Sequence, residues 1–121
     1  MDETKEATVN LGALVDIAEH VYSVAVEKGW YEDGQANFPE KIALVHSELS
    51  ETLEEYRNGH GYQDIYYADS GKPEGIAVEL ADAVIRIFDM CVHFDIPLAD
   101  AMAQKMAYNM GREYRHGGKR A

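Results

Sequence analysis

The sequence predicts an all-α protein: a four-helix bundle in one domain, residues 1–121, assembled as an oligomer. Three observations point there. Apolar residues recur at helical spacing in four segments, each bounded by capping or helix-breaking residues. No run alternates apolar and polar residues convincingly enough to read as a half-buried strand. The third segment is apolar round most of its circumference, which a single small bundle does not easily bury.

The first helix is predicted over residues 10–28. Leu11, Leu14, Val15, Ala18, Val21, Tyr22 and Ala25 lie at helical spacing, with Asn10 as N-cap and Gly29 as C-cap. A loop follows, GWYEDGQANF, and Pro39 sits where a first-turn proline belongs. The second helix then runs to about Asn58 and is ended by Gly59. Residues 59–73, GHGYQDIYYADSGKP, read as a Gly- and Tyr-rich loop. The third helix is predicted from Glu74 to just before Pro97, and the fourth from Leu98 to Arg112. Residues 1–9 are expected to be flexible, and residues 113–121 form a basic tail.

In the third helix, Ile76, Leu80, Ala81, Val84, Ile85, Ile87, Phe88, Cys91 and Val92 cover most of the wheel. Burying all of them calls for a dimer or larger assembly. The alternative is a monomer with this helix at its centre.

Composition bounds the function. A chain of 121 residues, 46% of them hydrophobic, supports one core and is too short for two domains. No stretch is apolar enough to span a membrane. The N-terminal MDETKEATVN lacks the basic and apolar regions of a secretory signal. The single cysteine, Cys91, has no internal disulfide partner, which fits a reducing, cytoplasmic setting. A net charge of -11 argues against a nucleic-acid polymer as partner, because a polyanion is met by a basic face. The positive charge gathers at the C-terminal end: Lys105, Arg112, Arg115, Lys119 and Arg120 stand there against Glu113.

The acids are ordered. On a wheel of about 100° per residue, Ile42, Val45, Leu49, Leu53 and Tyr56 fall on one side of the second helix. Glu48, Glu51 and Glu55 form a separate stripe. In the third helix Glu79, Asp82, Arg86, Asp89 and His93 share one line, and nearly everything else is apolar. A buried carboxylate needs a partner. If the two stripes face each other, Glu48, Glu51, Glu79 and Asp82 converge and repel unless protons or cations intervene. Oxygen ligands at i, i+3 spacing favour a hard cation, Mg²⁺ or Mn²⁺, over Zn²⁺. Salt bridging is the competing account: Arg86 stands at helical spacing from Asp82 and Asp89, and could reach across to the second helix.

With these residues the chain resembles the MazG-like, all-α nucleoside triphosphate pyrophosphohydrolases. The pattern of that family is ExxE, a variable spacer, then ExxD. Here it reads E48-L-S-E51 and E79-L-A-D82. The similarity runs from about Lys41 to the C-terminus and is strongest in KIALVHSELSETLEEYRNG, KPEGIAVELADAVIRIFD and KMAYNMGREYRHGGKR. It implies a helical bundle working as a homodimer or homotetramer, with Mg²⁺ held by Glu48, Glu51, Glu79 and Asp82. It implies cleavage of a nucleoside triphosphate between the α and β phosphorus, giving a monophosphate and pyrophosphate, in nucleotide-pool housecleaning. The base is not fixed by any residue. Two alternatives stand beside it: a phosphoribosyl-ATP pyrophosphohydrolase, and a non-catalytic acidic helical interaction module.

Roles for other residues follow with less support from pattern. Glu51 is assigned as the group that orients or deprotonates the attacking water, with Glu55 in reserve. Lys105, Asn109 and Arg112 share a face of the fourth helix, and the resemblance makes them phosphate contacts. Arg115, His116, Lys119 and Arg120 either close over the ligand or form a disordered tail. Trp30 either stacks on a base or plugs the core. Tyr62, Tyr66 and Tyr67, beside Asp69 and Lys72, belong either to a lid or to a packed connector. His93 is read as a satisfied polar group and Cys91 as structural. E113-Y-R-H116 formally matches a di-iron motif, but it occurs once and in a Gly-rich tail. No P-loop, GxGxxG or nucleophile elbow is present.

Overall fold

The computed structural model describes residues 10–32 and 37–112. Most of them are helical: α1 (Gly12–Glu27), α2 (Phe38–Arg57), α3 (Ile76–His93) and α4 (Leu98–Met110). Local chemistry sets their ends. Asn10 is not the N-cap expected of it: Leu11 holds that position in α1 with no side-chain cap bond, and Asn10 Oδ1 accepts from the Gly12 N–H at 2.8 Å from one residue further out. Asn37 caps α2 by accepting from the Glu40 N–H, and Pro39 sits in its first turn. At the end of α1, Gly29 turns left-handed (φ 84°), and the Trp30 N–H reaches back to the Ala25 carbonyl. Asp95 does the same for α3 at φ 58°, a conformation that Asp tolerates better than most side chains, and Pro97 bars continuation.

The all-α expectation holds, with one addition. Between α2 and α3 the chain forms a small antiparallel hairpin, β1 (Tyr66–Tyr67) with β2 (Pro73–Glu74), pairing Tyr66 with Glu74 and Tyr67 with Pro73, so that Glu74, the expected start of the third helix, is a strand residue and α3 begins at Ile76. No strand was expected there, because two-residue strands are too short for a period of two to show. Gly75 joins the hairpin to α3 at φ 133°. A Cβ at this position would strike the carbonyl oxygen of Asp64.

The core of one chain is built by α1, α2 and α3. α3 packs on both α2 and α1, whereas α4 rests on α1 and buries no residue. The apolar centre is Ala18, Ala25, Tyr31, Val45, Ile76, Ala83, Met90 and Cys91. No large side chain among the described residues is completely buried. α2 is also rotated relative to the simple amphipathic reading. Of its apolar side only Val45 is buried; Leu49, Leu53 and Tyr56 are about half exposed, and Glu48 turns inward instead. α3 likewise leaves Leu80, Val84 and Ile85 exposed. Among the described residues no helix is long and apolar enough to cross a membrane. The expectations for residues 1–9 and 113–121, including Arg115, His116, Lys119 and Arg120, lie outside the described residues.

Gly75→Ala combines a positive φ with a backbone clash. It should lower unfolding free energy by about 1–3 kcal/mol in urea titration. Unchanged stability would mean that the hairpin–α3 junction is not held as described.

Candidate functional site

α2 packs on α3, and their polar stripes meet in that contact. Glu48 and Glu51, one turn apart on α2, meet Glu79 and Asp82, one turn apart on α3. One carboxylate oxygen from each of Glu48, Glu51 and Glu79 lies within 4.8 Å of the others. Asp82 lines the same pocket, which has a volume of about 430 Å³ and is completed by Trp30, Leu44, Ser47, Lys72, Ile85 and Arg86. Glu48 and Glu79 are each only 7% exposed, while Glu51 is exposed.

Such crowding is visible in the acid–base behaviour of the group. Burial, then the charges of Glu51, Asp82 and Glu48, push Glu79 up to about 7. A hydrogen bond shared with Glu48, then burial, raise Glu51. Burial and Glu48 raise Asp82, against the pull of Arg86 and Lys72. Glu48 is the exception. Burial pushes it up, but hydrogen bonds with Arg86, Glu51 and Glu79 outweigh this and hold it low. Arg86 Nε donates to Glu48 Oε2 at 2.8 Å. The reach of Arg86 across to α2 is therefore real, and it coexists with the convergence of carboxylates.

The donor set fits a hard divalent cation. Ligand oxygens on opposite sides of Mg²⁺ stand about 4.2 Å apart, twice the usual Mg–O distance of about 2.1 Å. The three-glutamate cluster has that scale, with no nitrogen or sulfur donor among its members.

The other assigned residues divide. Trp30 is not a core plug: it is 53% exposed and lines the carboxylate pocket, its ring centroid 6.0 Å from the Arg86 guanidinium carbon. It lies just past the left-handed turn at Gly29, where the chain leaves α1. Glu55 is not among the pocket-lining residues. It accepts a hydrogen bond of 2.7 Å from the Tyr66 hydroxyl, and His60 stacks on that tyrosine. Glu55 thus ties the hairpin to α2, and the Tyr66 side of the loop is a packed connector. Lys105, Asn109 and Arg112 are exposed on α4 and its end, and none lines the pocket of its own chain. Lys105 and Arg112 instead flank the ring of Tyr108. Lys72, named in the sequence only as part of the lid-or-connector loop and given no role of its own, does line the pocket.

Further along the α3 stripe lies a second polar cluster. Tyr31 donates to Asp89 Oδ1 at 2.6 Å, with Asp89 only 3% exposed. Burial, with the hydrogen bond to Asp89, drives the Tyr31 hydroxyl well above its ordinary value. His93 stacks on Tyr31 at 4.2 Å and shares a hydrogen bond with the Tyr22 hydroxyl, as a satisfied polar group should. Cys91 is buried and free, its thiol pushed up by burial and by Asp89, which fits a structural role.

Comparison with known protein families, with curated proteins and with solved structures finds no match for this chain.

The raised proton affinity of Glu79 has a definite sign in stability. Without divalent cations, the folded chain keeps a proton on Glu79 up to about pH 7, whereas the unfolded chain loses it near 4.5. Stability from this group is full below the lower value and is lost as pH rises through the upper one. Glu79→Gln, a mimic of the protonated acid, should match the parent near pH 4 in chemical denaturation and exceed it at pH 8. An equal deficit at both pH values would contradict the crowding.

Proposed function

We propose that this chain is a magnesium-dependent nucleoside triphosphate pyrophosphohydrolase of the MazG-like, all-α type, acting in cytoplasmic nucleotide housecleaning. The observation that carries this reading is the meeting of Glu48, Glu51 and Glu79 oxygens from two helices. Asp82 in the same pocket supplies the fourth acid of the ExxE and ExxD pair. These four residues would hold Mg²⁺, or Mn²⁺ in its place. When bound, the cation would neutralise phosphate oxygens and polarise the phosphorus under attack.

The chain's own residues then have distinct tasks. Arg86 fixes Glu48 and keeps it ionised. Glu51, exposed and with a raised proton affinity, is the group assigned to accept the proton of the attacking water. Trp30 offers an exposed aromatic face at the pocket for a nucleobase. Attack at the α-phosphorus, with release of monophosphate and pyrophosphate, follows from the resemblance.

A homodimer or homotetramer belongs to the same reading. The exposed Leu49, Leu53, Tyr56, Leu80, Val84 and Ile85 are apolar surface on the helices that form the site. In this arrangement Lys105, Asn109 and Arg112, absent from their own chain's pocket, serve a neighbouring subunit's phosphates.

The test is incubation with Mg²⁺ and a panel of canonical and modified triphosphates, phosphoribosyl-ATP included. The expected products are a monophosphate and pyrophosphate. Glu48→Gln, Glu79→Gln and Asp82→Asn should each cut kcat/KM by at least about 100-fold, beyond the 10–100-fold typical of residues that only support a ligand. A folded protein that turns over no triphosphate would overturn the reading.

The Glu48–Arg86 hydrogen bond favours one other reading, a non-catalytic acidic interaction module held by ion pairing. Melting curves separate the two. The enzyme predicts a Mg²⁺-dependent rise that the carboxylate substitutions abolish; the module predicts no rise.

A further inference from the structure

We propose that Lys72 is a phosphate-binding residue of the pocket, delivered to it by the β1–β2 hairpin. The inference rests on the reading of the pocket as a triphosphate site and adds to it a ligand outside both acidic motifs.

Lys72 is held by its backbone rather than by its charge. Its carbonyl accepts from the Ala68 N–H at 2.9 Å, and its own N–H donates to Ser70 Oγ at 3.4 Å. The hairpin is clasped to α2 by the Tyr66–Glu55 hydrogen bond and joined to α3 through the close backbone approach of Gly75 to Asp64. The platform is therefore tied to both helices that carry the carboxylates.

The side chain lines the pocket together with Glu48, Glu51, Glu79 and Asp82. Yet among the described residues it makes no salt bridge within 4.0 Å, whereas Arg86 is committed to Glu48. An ammonium among four acids that pairs closely with none of them is available to another anion. Its charge is felt at a distance, drawing down Glu51, Glu79 and Asp82. A lysine is suited to this place: a compact cation on a flexible stem that meets phosphate as a point charge. The ligand class is a polyphosphate chain, one part of which meets the carboxylate-held cation while another part meets Lys72.

Isothermal titration of the full chain with inorganic tripolyphosphate in Mg²⁺ tests this, using the parent, Lys72→Met and Lys72→Arg. Mg²⁺-dependent melting shifts report the carboxylates separately, and circular dichroism reports the fold. Lys72→Met should weaken tripolyphosphate binding by about tenfold or more, as loss of a charge-assisted contact does. It should raise KM for the best triphosphate more than it lowers kcat, and Lys72→Arg should recover most of the loss. Mg²⁺ affinity should be unchanged or tighter, because a competing cation has gone. If Lys72→Met binds tripolyphosphate as the parent does, Lys72 is only a counter-charge and the inference fails alone. If the parent neither binds tripolyphosphate nor turns over any triphosphate, the reading beneath it fails as well.

Discussion

Glu48 and Glu79, each 7% exposed, are pressed together where α2 crosses α3, and the surrounding structure answers to that crowding. Two like charges about 4 Å apart at an effective dielectric near 20 oppose each other by roughly 4 kcal/mol. No well-packed helix pair tolerates this without compensation. Arg86 supplies part of it by bonding Glu48. A proton retained on Glu79 near neutral pH supplies another part. What these two leave uncompensated is what the proposed cation would neutralise.

The same constraint explains why the apolar faces look outward. Because α2 gives its inner face to Glu48, its leucines at positions 49 and 53 stay half exposed. On α3 the apolar and acidic residues are interleaved: Ile76, Ala83 and Met90 are buried while Leu80 and Val84 are not. The Tyr31–Asp89 bond fixes the segment just past α1, so that Trp30 is set beside Arg86 and the acids.

The helices and the acidic motifs were legible because each rests on a local periodicity. Gly29, Pro39, Gly59 and Pro97 mark ends through backbone chemistry that needs no tertiary context, whereas the cap assigned to Asn10 falls to Leu11. Glu48, Glu51, Glu79 and Asp82 stood out because they form lines on otherwise apolar helices. What the pattern hid depends on three-dimensional placement. The inward face of α2 was misjudged because a hydrophobic wheel counts Leu49 and Leu53 as core and is blind to Arg86 waiting across the interface. The hairpin escaped notice because its strands are two residues long. Lys72 could be placed only within a lid-or-connector loop, because it is the hairpin that brings it to the pocket. Glu55 lies on the same stripe as Glu48 and Glu51, but the Tyr66 hydroxyl claims it. Lys105, Asn109 and Arg112 share a helix face as expected, yet α4 does not carry that face to the pocket of its own chain.

Whether the converging Glu48, Glu51 and Glu79 hold a cation is open to direct observation. Crystals grown with Mn²⁺ and measured near its absorption edge would locate the ion by anomalous scattering. The account predicts a peak among those three carboxylates, within coordinating distance of each and close to Asp82. A well-ordered pocket with no peak there, and Glu48 still bonded to Arg86, would contradict it.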